Sequence, residues 1–311
     1  MRAPVRRPRA VGTLVAALSA LLIAAGAAAQ AGRLTVVNWN VESGGAQVGT
    51  ITQRIRAFQG VDLWGFEEVL DSTWAQSFEV AAEVGENADF RRVLGTTGGE
   101  DRLLVLYNSA RFDLLGTQEL MQLNIGGHVR APLIARLRDR QTGTEFLFMV
   151  NHLYRSNTQA RRDQARGLNQ WAQSQTLPVI AVGDYNFDWS VVGGDTQHDA
   201  GFDLMTQGGA FTWVRPATLV RSECAPQYDS VLDFAFVTAP ARAWPATSEI
   251  VVAPGDCPDG PTKPDHRPVR TVFTLPSAPP LVATLKAQIL QRLDSLAAEL
   301  QRLRQLVQQL P

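Results

Sequence analysis

The chain has 311 residues, 45% of them hydrophobic, enough for a substantial core in one large or two ordinary domains; no repeat of 20–50 residues runs through it, so a solenoid is excluded. The formal net charge is −1; residues 1–31 carry four arginines (Arg2, Arg6, Arg7, Arg9) and no acid, so without them 25 basic side chains face 30 acidic ones, a net charge of −5. Binding of nucleic acid by bulk positive charge is thereby excluded, and an anionic ligand must meet a local cation, either a metal or a few placed arginines.

The N-terminus reads as an export signal. The arginine-rich head is followed by an uncharged apolar stretch, residues 11–29, and by small-x-small patterns ending at Ala29 and Ala31. The alternative is an uncleaved anchor; the Ala/Gly-rich composition favours cleavage. Arg6-Arg7 also fits a twin-arginine signal. The expected location is secreted or periplasmic, and no later segment reads as a membrane span.

From residue 32 onward, strands and helices alternate. Strands are predicted at 34–39, 61–66, 103–107, 131–138, 145–151, 177–182, 232–237 and 269–275, and helices at 51–58, 73–84 and 161–173. Residues 139–143 make a hairpin loop between two of the strands. Hairpins mixed with crossover helices favour a layered α/β (α+β type) body with mixed sheets, spanning residues 32–276. Residues 275–280 then form a Pro-rich linker that leads into the C-terminal segment, 277–311, a linker end and an amphipathic helix. Beyond it, Ile289, Leu293, Leu296, Leu300, Leu303, Val307 and Leu310 follow a heptad seam. That helix would either self-associate as a coiled coil or lie on the domain surface; self-association is the preferred expectation. Cys224 and Cys257 sit in loop-like sequence, where an oxidising compartment favours a disulfide.

Six clusters carry chemistry. Asn38-Trp39-Asn40-Val41-Glu42 closes a strand and enters Gly-rich sequence, as a polar site or as a plain turn. Glu67-Glu68 follows a hydrophobic strand, where Glu68 suits a metal ligand or a helix start. His152, one of four histidines, ends a third strand. Gly183-Asp184-Tyr185-Asn186 follows a buried strand and places Asp184 and Asn186 on one side if the chain stays extended. Asp233 interrupts an apolar strand, so it either faces solvent or has a proton-sharing partner. Asp265-His266 precedes the last strand and suits a ligand beside a general acid/base, with His266 the obvious partner for Asp233. Phosphate-ester hydrolysis needs charge neutralisation, a positioned water and leaving-group stabilisation, and this repertoire of carboxylates, carboxamides and histidines suits it. No serine nucleophile elbow and no Gly-rich Lys loop accompany these clusters.

In this order the motifs resemble the endonuclease/exonuclease/phosphatase superfamily, the deoxyribonuclease I-like fold, from Leu34 to about Phe273. The resemblance implies a four-layer sandwich of two mixed sheets flanked by helices. It implies that Asn40, Glu42, Glu68 and Asp265 surround a metal, Mg²⁺ or Mn²⁺ with Ca²⁺ as an alternative. Glu67 stands where the family usually has Gln, and Pro264 where it usually has Ser. The resemblance further implies that His152 donates to the phosphate or leaving group, that Asp184 helps to activate water, that Asn186 orients the phosphate, and that Asp233 supports His266. Tyr107 and Asp101 fall where relatives sometimes place a phosphate contact and a partner for the first His. The implied chemistry is in-line attack of water on phosphorus, with a nucleic acid as the expected substrate of a nuclease or related phosphodiesterase. A phosphomonoesterase or sphingomyelinase-like lipid phosphodiesterase is the alternative on the same scaffold, and a non-catalytic binding protein the alternative of another class. Arg130, Arg155, Arg161 and Arg162 are either backbone contacts or surface residues, and Trp189 is a substrate contact or core.

Overall fold

The computed structural model describes residues 32–276 and 281–308. The export-signal residues 1–31, linker residues 277–280 and Leu310 lie outside the described residues. The chain divides into two units, Met1–Leu275 and Pro276–Pro311.

The first unit is built on two six-stranded sheets. One runs, in spatial order, β11 (Ala246–Ile250), β12 (Val269–Thr274), β1 (Arg33–Asn40), β2 (Leu63–Val69), β4 (Arg102–Asn108) and β3 (Phe90–Leu94). The other runs β5 (Phe112–Glu119), β6 (Leu133–Asp139), β7 (Glu145–His152), β8 (Val179–Ser190), β10 (Ser230–Thr238) and β9 (Phe211–Trp213). Each sheet holds one parallel pair. Helix α1 (Val48–Ala57) carries the chain from β1 to β2, and α3 (Thr158–Gln173) from β7 to β8. The other named pairs are antiparallel. Helices α2 (Ser72–Glu86) and α4 (Ala200–Thr206) complete the outer layers.

Side-chain alternation along the inner strands explains the layering. Leu34 and Val36 of β1, Leu103 and Val105 of β4, and Ile180 and Val182 of β8 pack together between the sheets. Their neighbours Val37, Trp39, Leu104 and Leu106 turn the other way, onto Ile51 and Ile55 of α1 and Phe78 of α2. Ala181 and Met149 likewise pack on Ala165 and Leu168 of α3. Strands buried on both faces read as continuous apolar runs, as these do. The result is the four-layer α/β/β/α sandwich with mixed sheets. Helix starts are chemically marked: Asp71 accepts the amides of Thr73 and Trp74 ahead of α2, and Asn157 accepts that of Ala160 in α3. Strand β8 runs to Ser190, well beyond the expected end at 182, because β10 pairs with it on both sides of a bulge at Val231/Asp233. Cys224 and Cys257 are joined in a disulfide.

The second unit is one helix, α5 (Leu281–Gln308). Ile289, Leu293, Leu296 and Leu300 of its heptad seam are more than half exposed in the single chain. The side chains of Leu303 and Val307 lie outside the described residues. No helix among the described residues is long and apolar enough to cross a membrane.

Candidate active site

The two crossovers decide which strand ends meet. Parallel pairing sets Asn40 of β1 beside Glu67 of β2, and His152 of β7 beside Asp184 of β8. Antiparallel pairing sets Asp233 of β10 on the other flank of Asp184. Register thereby sets two clusters side by side in one sheet and three in the other, and the packing of the two sheets brings the five together. The sixth, Asp265-His266, enters just before β12; the indole of Trp39 donates to the His266 carbonyl across 2.9 Å.

Backbone irregularity then aims the side chains. A bulge interrupts the β2–β4 ladder between Phe66 and Val69, so consecutive acids face different surroundings: Glu67 is wholly buried and Glu68 opens into the site. Glu42, Glu68 and Asn186 all adopt positive φ, between 50° and 57°, a region that non-glycine residues seldom occupy and that clusters at functional sites. Gly183, with φ of 151°, precedes Asp184; a Cβ there would lie 2.1 Å from the Asn151 carbonyl oxygen. Only glycine lets β7 and β8 approach this closely.

The side chains form one connected network. Asn40 Nδ2 donates to Asp184 Oδ2 at 3.1 Å and to Glu68 Oε1 at 3.3 Å, while its Oδ1 accepts the Glu42 amide at 3.1 Å. Glu42 Oε2 accepts the Asp265 amide at 2.9 Å. Asp184 Oδ1 accepts the Asn186 amide at 2.9 Å, and Asn186 Nδ2 donates to the Leu153 carbonyl at 3.2 Å. His152 Nε2 lies 3.5 Å from Asp184 Oδ2 and 3.9 Å from Glu68 Oε1. His266 Nδ1 meets Asp233 Oδ2 at 2.7 Å, which answers the burial of Asp233. His266 Nε2 lies 3.8 Å from both Asp184 Oδ2 and Asp265 Oδ1.

Burial and crowding set the electrostatics. Burial, reinforced by Asp265, pushes the Glu42 carboxyl up to about 7. Burial also raises Asp184 to about 7 and Asp265 to about 6, in each case against the pull of His266. Glu67 is raised well above the carboxylate range by burial and by the charges of Asp233 and Asp184. The two histidines diverge. Burial, with Arg130 nearby, holds His152 well below its ordinary value and therefore neutral. His266 resists the same burial because Asp233, Glu223 and Asp184 hold its charged form well above the ordinary range. Pairs of groups driven apart in this way can divide acid and base roles.

The network gathers Asn40, Glu42, Glu68, His152, Asp184, Asn186, Asp233, Asp265 and His266. Tyr107 is not among them. It pairs with Leu63 at the opposite end of β2, five residues from Glu68, which at ~3.3 Å per residue is ~16 Å away. Asp101 stands at the edge of the site, but its carboxylate is taken by Arg130, with Nη2 at 2.7 Å, and it has no contact with His152, whose Nδ1 lacks a hydrogen bond. Arg130 in turn stands 4.0 Å from Glu68. Arg161 and Arg162 are both committed to Asp199. Arg155 has no ion pair among the described residues; its guanidinium sits over the Tyr228 ring, within the electrostatic reach of Glu223 and Asp265. Trp189 is buried in the core around α4. Glu223, which no motif suggested, lies 3.0 Å from His266 Nε2.

The donor set fits a hard divalent cation. Glu42, Glu68 and Asp265 supply carboxylate oxygens, the ligands such ions prefer, while Asn40 turns its amide nitrogen to Glu68 and Asp184 and its oxygen to the Glu42 amide. Glu223, Asp265 and His266 also bring ligand atoms within 4.8 Å of one another. Raised carboxyls crowded together with few cations mark a site short of positive charge.

Comparison with known proteins agrees with this geometry. The model of the endonuclease/exonuclease/phosphatase family matches residues 37–256. No curated protein matches the chain in sequence. A solved endonuclease/exonuclease/phosphatase family protein from Bacteroides thetaiotaomicron is similar in structure, with a TM-score of 0.59 at 18% identity over 78% of this chain and 98% of that one. A mannosyl-6-phosphatase from the same organism gives 0.56 at 18% identity over 76% and 98%. D. rerio TDP2 complexed with a single-strand DNA product gives 0.59 at 17% identity over 78% and 98%. At such identity these likenesses speak for the fold. Asp265 and His266 lie beyond the matched span, and it is the antiparallel β1–β12 pairing that returns them to the site. The matched span together with the two-sheet fold establishes that the chain belongs to the endonuclease/exonuclease/phosphatase family and is an enzyme of its metal-dependent phosphoric ester hydrolase class.

Proposed function

We propose that this enzyme is an exported, Mg²⁺-dependent phosphodiesterase acting on nucleic acid. The observation that carries the reading is the single network joining Asn40, Glu68, Asp184, Asp233, Asp265 and His266, in which one acid near neutrality faces one cationic imidazole. Glu68 and Asp265 would hold the Mg²⁺, with Asn40 and Glu42 around them; Mn²⁺ or Ca²⁺ would suit the same oxygens. Such an ion supplies positive charge to the phosphoryl oxygens. The chain's own residues do the rest. Asp184 takes the proton of the attacking water. His266, kept cationic and oriented by Asp233, donates its Nε2 proton to the leaving oxygen as the P–O bond breaks. Asn186, fixed through Leu153, orients the phosphate, and neutral His152 offers a hydrogen bond on the opposite flank. Arg155, without an ion pair, is placed for a flanking phosphate.

Support for nucleic acid comes from the TDP2 neighbour, solved with a DNA product. The mannosyl-6-phosphatase neighbour favours a phosphomonoester as the second reading. Export is supported by the N-terminal sequence and by the Cys224–Cys257 disulfide, which suits an oxidising compartment. In this proposal residues 1–31 are removed, residues 32–276 are catalytic, and residues 277–311 form a linker and a helix whose exposed seam self-associates. The deciding experiment screens the mature protein with Mg²⁺, Mn²⁺ or Ca²⁺ against plasmid DNA, RNA, sphingomyelin and a phosphomonoester, each with an EDTA control. Cleavage of DNA or RNA alone is expected; turnover of the monoester alone would replace the reading.

A further inference from the structure

Three consecutive residues outside the recognised motifs contact Asp233, His266 and Asp265 in turn. Ser222 is buried in the bulge of β10, where its Oγ accepts the backbone amides of Leu232 at 2.9 Å and Asp233 at 3.2 Å, donors that the bulge withdraws from the regular ladder. Glu223 is 1% exposed, and its Oε2 stands 3.0 Å from His266 Nε2. Its other oxygen accepts the Ala225 amide at 2.8 Å, which anchors the carboxylate, while Oε2 faces His266 at ion-pair distance with no hydrogen bond of its own. Cys224 donates its amide to the Asp265 carbonyl at 2.6 Å and is bonded through sulfur to Cys257. Arg267 closes the ladder by donating its amide to the Ser222 carbonyl at 2.7 Å. The strap is thus paired antiparallel to Asp265–Arg267 and covalently anchored one residue beyond Glu223.

We propose that Glu223 is a further positioning residue of this site, held on the reactive edge of His266 by the disulfide-anchored strap, so that the Cys224–Cys257 bond supports turnover through Glu223. The geometry makes the argument. Asp233 fixes one ring nitrogen and leaves rotation about that contact open. A second carboxylate 3.0 Å from Nε2 restrains it electrostatically and keeps that edge of the ring beside Asp184 and Asp265. Reach matters, because positioning errors of about 1 Å cost roughly a hundredfold in rate. Without the disulfide the strap keeps four backbone hydrogen bonds but loses its covalent stop beside Glu223. Asp233 accepts the Nδ1 hydrogen bond, and the Nε2 proton, beside Glu223 but not hydrogen-bonded to it, is the one His266 donates in the reaction, which is why Glu223 is assigned to the ring and not to a metal.

This inference rests on the phosphodiesterase reading, and the test separates the two. Glu223→Gln, Glu223→Asp and Cys224→Ala/Cys257→Ala are compared in the mature protein at saturating Mg²⁺ with bis(p-nitrophenyl) phosphate. Glu223→Gln is expected to lower kcat roughly tenfold to a hundredfold, the range for groups that orient catalytic ligands, with KM nearly unchanged. Glu223→Asp should recover part of that loss. The cysteine pair variant should lose a similar factor, and none further when combined with Glu223→Gln, since both changes act through one contact. The ¹⁵N resonance of His266 Nε2, read in metal-free protein, should move in every variant that frees Nε2. Wild-type kcat in Glu223→Gln with an unmoved resonance would overturn the proposal, as would losses that multiply in the combined variant. A loss that excess Mg²⁺ fully restores would make Glu223 a ligand and overturn it equally. If the cysteine variant does not fold, Glu223→Gln decides alone. If the wild type fails to cleave the diester, the phosphodiesterase reading falls, and the resonance still reports on the contact.

Discussion

Asp233→Asn tests the charge logic of the site with the smallest change of shape. The two side chains are buried and meet at 2.7 Å, and an amide oxygen can still accept from the imidazole Nδ1. What is lost is the charge assistance. A hydrogen bond to a charged group contributes about 1.5–3 kcal/mol against about 0.5–1.5 for a neutral one, and each ~1.4 kcal/mol is tenfold in rate, so losing the ~1–1.5 kcal/mol difference should lower kcat roughly 5- to 10-fold. KM should change little, because Asp233 touches only the imidazole in this network. The Ser222 hydroxyl still holds the backbone amide at position 233, so the fold should persist. The pH profile carries the sign. His266 sits well above its ordinary range; besides Asp233, Glu223 and Asp184 also hold it there. Removing Asp233 lowers it. Activity that needs the imidazolium falls as pH rises through this value, so the alkaline limb should move to lower pH. The assay is kcat against pH with a chromogenic diester at saturating Mg²⁺. An unshifted alkaline limb with wild-type kcat would refute the reasoning.

Metal and pH should be coupled. Glu42 and Asp184 near 7 and Asp265 near 6 favour the protonated form in the folded state, so the stability they confer is present in acid and lost as pH rises through 6–7. Tm of the metal-free protein should therefore fall between pH 5 and pH 8, and Mg²⁺ should raise Tm more at pH 8, because cation and proton compete; an equal Mg²⁺ effect at both would contradict this. Glu67 is buried with neither oxygen hydrogen-bonded, and its raised carboxyl opposes folding increasingly above the ordinary range near 4.3. Glu67→Gln should gain stability over wild type as pH rises from 5 to 8, measured by urea unfolding; a gain independent of pH would refute the assignment. Gly183→Ala should cost at least ~2 kcal/mol in the same measurement, since the methyl meets the Asn151 carbonyl at an unfavourable φ; a neutral result would remove the close-approach argument.

The eight strands legible in the sequence are the interior ones, and the four that escaped, β3, β5, β9 and β11, are the edges of the two sheets. The reason is physical. Interior strands are buried on both faces and read as apolar runs, whereas β5 exposes most of its middle and β9 has only three residues. Strand-end chemistry was legible for a related reason: acids and His at the end of an apolar run have few packing explanations. Tyr107 misled because its motif order says nothing about which end of an antiparallel strand it occupies. Asp101 was drawn to Arg130, a partner 29 residues away that no local pattern reveals. Glu223 was invisible, since its contact with His266 depends on an isolated bridge and a disulfide spanning 33 residues. The adjacent Cys224 was the one available signal.

In the proposed reaction Asp184 and His266 carry a metal-dependent hydrolysis. Its most direct test is diester turnover by the mature wild type, Asp184→Ala and His266→Ala, with Mg²⁺ and with EDTA, alongside thermal unfolding of each. Turnover in the wild type that EDTA abolishes, and near-complete loss in both variants while they remain folded, is the predicted result. Undiminished turnover in either folded variant, or in EDTA, would contradict the account.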